Sequence, residues 1–510
     1  MNIGELYSMN CRNLGSKPAL IFKERTISHE ELEKRTNQFA QFLLSSGYQK
    51  GDRIAILSKN HIELPVIMLG AAKAGVIFTP INYRMTATEI TGLLQHFKPR
   101  ALFFSEEYVE TVLSFKNHVA VEKYVNIDRL DSHEDYLSLD GVIRSQSVES
   151  PQIQIDGQDT YFITYTSGTT GKPKGGIVTH ESRCMQVLLY SIEFGIKSND
   201  IQLVVGPIYH AVPHVLLLTQ LVLGGTLVIM KEFDAIQVLE NISNYKVTNM
   251  FMVPTMCNFL LELDDSVKQK YDMGSVKTLI SSGSALPTST KERIIAFFNQ
   301  VHLFDLYGAS EIGGCAVLRP EDQLKTTRSI GKPVMFNDVK IFDSNGYELP
   351  AGEVGEIYIK NPYHFKGYLD NPVETEKAFK NGYITVGDLG RKDENGFIYL
   401  AGRKKDMVIS GGVNIYPDEI EDVLYKHPDV LDVAVIGIPD KIWGESLKAF
   451  IVRRNNQATE QELIDFCKQN LASYKKPKSI EFVNELPRNA AGKILKKDLR
   501  APYWAQHSNM

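Results

Sequence analysis

The sequence of 510 residues is poor in cysteine, and this shortage restricts the class of protein. Its 5 cysteines stand at positions 11, 184, 257, 315 and 467, an odd total with no Cys-x-x-Cys spacing. Such a set does not indicate a disulfide framework and is typical of a reducing compartment. The first residues, MNIGELYSMNCRN, contain no basic segment followed by an apolar run, so no secretory signal is expected. The sequence therefore predicts a cytoplasmic protein.

The chain also lacks a long apolar run and an excess of one charge. The nearest candidate for a membrane span, 211–230, has no Asp, Glu, Lys or Arg but contains Pro213, His214 and the pair Gly224-Gly225. We interpret it as a buried helix, a glycine turn and the core strand TLVIM, and predict no transmembrane segment. With 56 basic and 61 acidic residues the net charge is −5, which argues against a dedicated nucleic-acid-binding protein.

The order of apolar patterns along the chain indicates an α/β fold. In the first half, strands such as RIAIL (53–57) and VIFTPI (76–81) alternate with helical patterns. This order predicts parallel sheets covered by helices. After about residue 330, segments such as 355–360 and 396–403 alternate more strictly and are bounded by turn residues, which predicts antiparallel β-structure.

We therefore predict two domains, because a chain of this length exceeds what one hydrophobic core usually supports. Residues 1–404 form a large N-terminal domain, in which helices cover mixed or parallel sheets and a β-rich subdomain follows. Residues 405–510 form a small α+β domain, and the boundary near Lys405 precedes the change in pattern.

One stretch has an unusual density of hydroxyl, glycine and lysine residues: TYTSGTTGKPKGGIVTH, residues 164–180. Glycines let backbone amides approach a ligand, and the hydroxyl and ammonium groups add donors for phosphate oxygens. The stretch follows the strand pattern TYFITYT and precedes a helical pattern, and we expect a strand–loop–helix context that favours anion binding. It is not a Walker A loop, because no glycine is followed, four residues later, by Gly-Lys-Ser/Thr. We predict phosphate binding, with a solvated polar turn as the alternative.

The string TSGTTGKPKG (166–175) resembles the phosphate loop of the adenylate-forming superfamily, which includes acyl-CoA synthetases, amino-acid adenylation domains and beetle luciferases. Further motifs similar to those of the superfamily follow in the same order: LYGASEIGG (306–314), VGDLG (386–390), GRKKDMVISGGVNIYPDEIE (402–421) and LPRNAAGKILKKDLR (486–500). The resemblance covers essentially the whole chain and favours the acyl-CoA synthetase branch. It implies that the small C-terminal domain is mobile and carries a catalytic lysine.

The resemblance also implies a two-step reaction. A carboxylic acid attacks the α-phosphorus of ATP to give acyl-AMP and pyrophosphate, and a thiol, usually that of coenzyme A, then displaces AMP. ATP, Mg²⁺ and CoA are the implied cofactors and co-substrates, and the implied partners are these small molecules and the carboxylic acid, with no nucleic acid. The oligomeric state stays open between a monomer and a homodimer.

For the chemical step, the resemblance implies four residues. Lys493 would bridge the substrate carboxylate and the α-phosphate, where charge develops in the transition state. Ser310 and Glu311 would meet the α-phosphate, with Glu311 as the Mg²⁺ ligand. His210 would lie beside the substrate carboxylate or the adenylate.

For the bound nucleotide and CoA, the resemblance implies three sets of residues. The phosphates of ATP would be held by Thr166, Ser167, Gly168, Thr169, Thr170, Gly171, Lys172 and Lys174. The nucleoside would meet Gly283, Asp305 and Tyr307 at the adenine and Asp388 and Arg403 at the ribose or phosphate. CoA would pass Gly411 and Gly412 and stack on Trp443.

The motifs depart from the superfamily pattern at several positions. Ser310 replaces the commoner Thr and keeps the hydroxyl group, whereas Val386 replaces a Thr and removes one polar group. Leu306 stands where many relatives have Gly, beside the expected acyl pocket, and Pro213 takes a position often held by Gly.

The acid and the thiol acceptor stay open between alternatives. The apolar segment 211–223, and the absence of an Asp in PIYHAVP that would hold an α-amine, favour a fatty or similar apolar acid. An aromatic acid, a carrier-protein thiol as acceptor, and a catalytically silent nucleotide-binding protein are the alternatives.

Overall fold

The computed structural model describes residues 1–166, 174–284, 286–326, 329–410, 413–440, 442–455, 457–488 and 494–505. The helices of these residues, in chain order, are α1 Ile3–Cys11, α2 His29–Ser45, α3 Glu63–Ala74, α4 Ala87–Phe97, α5 Val109–Phe115, α6 Leu139–Ile143, α7 His180–Glu193, α8 Ala211–Val222, α9 Ala235–Tyr245, α10 Pro254–Leu261, α11 Asp265–Lys268, α12 Thr288–Phe298, α13 Pro372–Ala378, α14 Pro417–Leu424, α15 Glu460–Asn470 and α16 Lys496–Ala505.

The strands of the first half are β1 Pro18–Phe22, β2 Arg25–Ser28, β3 Arg53–Leu57, β4 Ile77–Ile81, β5 Ala101–Phe104, β6 Lys123–Asn126, β7 Leu137–Ser138, β8 Thr160–Thr166, β9 Lys174–Thr179, β10 Ile201–Val204, β11 Thr226–Ile229 and β12 Asn249–Met252. The strands of the second half are β13 Thr278–Ser282, β14 His302–Ala309, β15 Gly313–Leu318, β16 Ser329–Pro333, β17 Asp338–Phe342, β18 Gly355–Lys360, β19 Gly367–Tyr368, β20 Phe379–Lys380, β21 Tyr383–Ile384, β22 Asp388–Lys392, β23 Ile398–Arg403, β24 Val408–Ser410, β25 Val413–Ile415, β26 Val430–Asp440, β27 Gly444–Arg453 and β28 Ser479–Phe482.

Two large sheets make up the part of the chain before residue 405. The first, sheet A, has the order β2-β1-β11-β10-β12-β13-β14-β15-β16-β23-β22-β18-β21-β20, with β17 paired to β18. Its strands are parallel from β1 through β14 and antiparallel from β15 onward. The second, sheet B, has the order β19-β9-β8-β4-β3-β5-β6-β7 and is parallel except at β8, β9 and β19.

A shared hydrophobic core joins the two sheets. Buried apolar side chains from α1, α2, α3, α7 and α8 pack together with residues of both sheets, among them Phe78, Tyr161, Leu216 and Leu227. Parallel strands such as β5 and β11 are buried along their whole length, as is typical of strands that helices cover on both faces. This core holds the ends of β8, β14 and α8 near one another, and these ends carry the predicted site.

The predicted α/β class is confirmed. The strands expected at 53–57 and 76–81 are β3 and β4, which pair in parallel, and β18 and β23 belong to the antiparallel part of sheet A. The apolar segment 211–230 forms the buried helix α8, a turn at Gly224 and strand β11. Within the described ranges, every helix is too short or too polar to cross a bilayer.

A third sheet and its own cores occupy the residues after 405. Sheet C has the order β25-β24-β27-β26, with β28 parallel to β27. Its two hydrophobic clusters draw all of their members from residues 408–503. The ion pair of Lys496 with Glu421, 2.8 Å, and with Asp418, 3.0 Å, ties α16 to α14 inside this unit. The predicted boundary near Lys405 stays a prediction.

The packing of α2 on α3 contains a buried ammonium group, which generates a first prediction. Lys73, with 4% of its side chain exposed, lies 2.6 Å from Glu33 and also donates to Thr36 and Asn37. Burial lowers the pKa of Lys73, while the Glu33 carboxylate opposes this shift.

We expect Glu33→Gln to lower the free energy of unfolding by about 3 kcal/mol, because it leaves the buried ammonium without its counter-charge. Urea unfolding followed by circular dichroism measures the change. Glu31→Gln, on the exposed side of the same helix, is the control and should unfold like the wild type. Equal midpoints for Glu33→Gln and Glu31→Gln would contradict the prediction.

Candidate active site

The glycine-rich stretch closes a β-hairpin, which corrects one expectation. Strand β8 ends at Thr166, and the chain continues after the turn as β9, antiparallel to β8, before α7 begins at His180. The predicted strand–loop–helix context is therefore wrong: a strand follows the loop. The glycine at position 175 suits the close pairing of β9 with β8, because a Cβ added there would lie only 3.0 Å from Ile163 Cγ2. Phosphate binding at this stretch would therefore depend on its amides and lysines, not on a helix N-terminus.

Lys174, the first residue of β9, has an acidic partner in this structure. Its ammonium group donates to Glu374 of α13 and lies 5.2 Å from the ring centre of Tyr368. Lys174 and Lys377 hold the pKa of Glu374 well below its usual range, at about 2. The side chain of Lys174 thus already lies at the base of the hairpin, held by a carboxylate. The other predicted phosphate-binding residues, Ser167, Gly168, Thr169, Thr170, Gly171 and Lys172, lie outside the described residues, and of Thr166 only the backbone is described.

Ser310 and Glu311 lie in the tight turn between β14 and β15, next to sheet B. Glu311 is 8% exposed, and its Oε1 accepts a hydrogen bond of 2.8 Å from the hydroxyl group of Tyr368. Its backbone carbonyl accepts from the amide of Phe365 at 2.8 Å. No lysine or arginine among the described residues forms an ion pair with Glu311. A buried carboxylate with one polar neighbour and no cation is costly unless a ligand supplies positive charge.

Asp388 lies between two other predicted nucleotide-binding residues. Its Oδ2 accepts from the hydroxyl group of Tyr307 at 2.7 Å, and its Oδ1 lies 3.1 Å from Nε of Arg403. Strand pairing explains the second contact, because Asp388 begins β22 directly opposite Arg403 at the end of β23. Burial, together with the neighbouring Asp388, raises the pKa of Tyr307, so this phenol stays protonated and donates. The structure brings these three predicted residues together.

Asp305 and Gly283 lie on the neighbouring strands β14 and β13. Asp305 is buried, and its Oδ2 lies 3.5 Å from Nζ of Lys291 on α12. Burial raises the pKa of Asp305 to about 6, although the Lys291 charge acts in the opposite direction. Gly283 follows β13 with φ +94°, a left-handed conformation that disfavours side chains. It lies next to the β14 segment that carries Tyr307.

His210 caps the start of α8, where its backbone accepts the amide of His214. Its ring packs against Tyr209 with 4.3 Å between the ring centres, and Tyr209 packs against Tyr83. His214 lies on the buried side of α8, where its Nε2 is 3.2 Å from the hydroxyl group of Tyr161.

The remaining predicted residues belong to the part of the chain after 405. Trp443 lies at the turn between β26 and β27, is 51% exposed, and its amide donates to Asp440. Lys493, Gly411 and Gly412 lie outside the described residues. Sequence reasoning missed Tyr368, Glu374 and Lys291, which contact predicted residues from distant segments. Tyr368 stands in the segment FKGYLDNP, where nothing in the local pattern indicates a contact with Glu311.

Comparison with known proteins agrees with this arrangement. Residues 8–369 match the family of AMP-binding enzymes, and residues 419–493 match the AMP-binding enzyme C-terminal domain. The chain is 33% identical over 485 residues to the long-chain-fatty-acid–CoA ligase FadD13 of Mycobacterium tuberculosis, covering 94% of this chain and 93% of that protein. It is 32% identical to a feruloyl-CoA synthase of an Amycolatopsis species, covering 93% of each.

Among solved structures, the anthranilate CoA ligase AuaEII in complex with anthranoyl-AMP superimposes with a TM-score of 0.91. That structure is 27% identical and covers 99% of this chain and 98% of its own. Fold and comparisons together define an adenylate-forming enzyme, of the acid–CoA ligase class that the motifs predicted. The chain belongs to the AMP-binding enzyme family.

The contacts of Asp388 generate a second prediction. We expect Asp388→Ala to raise the KM for ATP by about tenfold or more, because charged hydrogen bonds to a ligand are worth about 1.5–3 kcal/mol. Initial rates at varied ATP measure the change. Asp265→Ala, which removes a carboxylate that is 83% exposed on α11, is the control. An unchanged KM for ATP would show that Asp388 does not hold the nucleotide.

Proposed function

We propose that this protein joins an acid with an apolar acyl group to coenzyme A, using ATP and Mg²⁺, through an acyl-adenylate. The observation that carries the proposal is the buried Glu311 carboxylate, which has no cationic partner among the described residues. It lies beside the hairpin of β8 and β9, residues 160–179, which we call the phosphate hairpin. A hard divalent cation bound to ATP phosphates is the ligand that would compensate such a charge.

The residues present fit a magnesium ion. Glu311 offers its Oε2, which has no hydrogen-bond partner among the described residues, while Oε1 is held by Tyr368. Mg²⁺ prefers oxygen ligands and usually keeps one or two carboxylates plus phosphate oxygens. When bound, it would shield the phosphate charge from the incoming carboxylate.

The nucleotide would be held from two sides. Asp388, oriented by Tyr307 and Arg403, can accept hydrogen bonds from ribose hydroxyl groups with both of its oxygens. Lys174 would exchange Glu374 for phosphate oxygens, since an ammonium group pairs with either anion. These groups position ATP and neutralise charge, which is the greater part of catalysis in phosphoryl chemistry.

Two further residues would act on the acid itself. His210, at the start of α8, would orient the substrate carboxylate. Lys493 would bridge this carboxylate and the α-phosphate and stabilise the charge that develops between them. Both roles come from motif resemblance.

Apolar side chains near the predicted acyl site favour an apolar acid. Leu306 on β14 is 3% exposed. Tyr190 leaves no room for a side chain at Gly314, because a Cβ added there would lie 2.8 Å from the Tyr190 hydroxyl oxygen. At the start of α8, Pro213 lies against Gly206, and Phe251 also flanks this glycine. The relatives named above are a long-chain-fatty-acid–CoA ligase and a feruloyl-CoA synthase, whose acids are aliphatic and aromatic respectively.

The small C-terminal unit would deliver CoA. Its separate cores support a rigid body that turns about Lys405, and the backbone carbonyl of Lys405 accepts from Arg500 of α16 at 3.1 Å. We place the domains at 1–404 and 405–510. Trp443, half exposed on this unit, would stack on CoA, and motif resemblance also assigns Gly411 and Gly412 to the CoA path. The 5 free cysteines, all buried, suit a cytoplasmic enzyme.

The proposal predicts AMP release from ATP that requires Mg²⁺, an acid and CoA together. The measurement is AMP formation with a panel of aliphatic and aromatic acids, in the wild type and in Lys493→Ala. We expect one group of apolar acids to support turnover, and Lys493→Ala to lower the adenylation rate by at least about a hundredfold, as for removal of a group that stabilises transition-state charge.

Lys497→Ala is the matched control, because this lysine is exposed and only four residues away. Acid-dependent pyrophosphate release that CoA does not accelerate would indicate a carrier-protein thiol as acceptor instead. Absence of turnover with every acid would contradict the proposed function.

A further inference from the structure

The segment 361–369 joins three parts of the site. Its carbonyl at Tyr363 accepts from Ser182 and Gln186 of α7, and its amide at Phe365 donates to the backbone of Glu311. Strand β19 pairs with β9, with Gly367 opposite Ile177 and Tyr368 opposite Gly176. The segment therefore binds the phosphate hairpin and the Glu311 turn to the same helix.

Tyr368 lies where these connections meet. Its backbone is fixed by pairing with β9 and by a hydrogen bond of 2.9 Å from its amide to Thr375. Its ring packs edge-on against Phe365, with 4.9 Å between ring centres. The ammonium group of Lys174 lies over the same ring, 5.2 Å from its centre. The side chain thus has little freedom, and its hydroxyl group points at Glu311 Oε1 from 2.8 Å.

We propose that Tyr368 is a positioning residue for Glu311, and this inference rests on the proposed function. By donating to Oε1, the Tyr368 hydroxyl group fixes the carboxylate orientation and leaves Oε2 for the cation that accompanies ATP. Groups that orient a metal ligand in this way typically contribute ten- to hundredfold to affinity or activity.

The same geometry links the cation to the phosphate hairpin. Because Tyr368 is paired with β9 and contacts Lys174, a shift of the hairpin would move the hydroxyl group that holds Glu311. A purely structural tyrosine would act through its ring, which a phenylalanine preserves. The hydroxyl group alone distinguishes the two roles, so Tyr368→Phe is the informative substitution.

The test compares the two half-reactions and metal binding in the full-length enzyme. We expect Tyr368→Phe to slow acid-dependent exchange of pyrophosphate into ATP by about ten- to a hundredfold, and to raise the Mg²⁺ concentration for half-maximal rate. The enzyme should bind the Mn²⁺ complex of a non-hydrolysable ATP analogue about tenfold more weakly, measured by electron paramagnetic resonance without turnover. Thiolysis of supplied acyl-adenylate by CoA should stay within about twofold of the wild type, because that step does not require ATP.

Two controls separate positioning from loss of stability. Tyr271→Phe removes a comparable tyrosine–glutamate hydrogen bond, 3.2 Å from Tyr271 to Glu240 on the surface, and should leave every rate unchanged. In a Glu311→Gln background, Tyr368→Phe should add less than about a twofold further loss, since coupled residues do not act additively. Equal melting temperatures of Tyr368→Phe and the wild type would exclude a folding defect.

The outcomes also separate this inference from the proposed function. A wild type that shows no acid-dependent exchange overturns the proposed function, and the inference with it. A wild type that exchanges, with a Tyr368→Phe variant equal to it in exchange rate and Mn²⁺ affinity, overturns the inference alone. Equal losses from Tyr368→Phe in the presence and absence of Glu311 would also overturn it, because Tyr368 would then act independently of that carboxylate.

Discussion

The Glu311 carboxylate, buried without a cationic partner among the described residues, is the constraint on which the arrangement of this site depends. Glu311 is nearly inaccessible, yet its described surroundings supply one phenolic hydroxyl group and no positive charge. Such a group is tolerable only if the surrounding structure is rigid enough to hold it in place until a ligand arrives. The turn between β14 and β15 provides this rigidity, because it is hydrogen-bonded to the segment 361–369 and through it to α7 and β9.

Other charged groups of the site are paired with the protein itself. Lys174 forms an ion pair with Glu374. Asp388 accepts a hydrogen bond from Tyr307 and forms an ion pair with Arg403. An ion pair of this kind keeps a side chain ordered at little net cost, and phosphate or ribose can replace the internal partner. In the proposed reaction, ATP would thus meet groups already in place, so that less ordering is needed on binding.

Internal ion pairs also hold charged side chains in place among the residues after 405. Lys496, three positions after the predicted catalytic lysine, is bound to Asp418 and Glu421 of α14, and Glu421 also accepts the amide of Val435. On the other side of the undescribed stretch, Arg488 pairs with Asp432 at 2.5 Å. Both ends of the lysine-bearing segment are therefore attached to elements of sheet C and its covering helix α14.

The sequence by itself determined the class of the protein and most of its elements. Apolar strands such as β3 and β4 and the buried helix α8 follow from local periodicity, which depends on residues a few positions apart. The string TSGTTGKPKG and the four motifs after it were sufficient to indicate an adenylate-forming enzyme. Motif resemblance also nominated Glu311 and Asp388, whose roles stay predictions.

Only the tertiary structure decided what these residues contact. Strand β9 was missed because KGGIVT has little apolar periodicity of its own, and pairing with β8 and β19 makes it a strand. Asp305, expected at the adenine, faces Lys291 of α12, and Tyr368 reaches Glu311 across 57 positions of the chain. These contacts depend on how two sheets and the helices between them pack, which is a non-local balance of burial and charge that no short stretch of sequence contains.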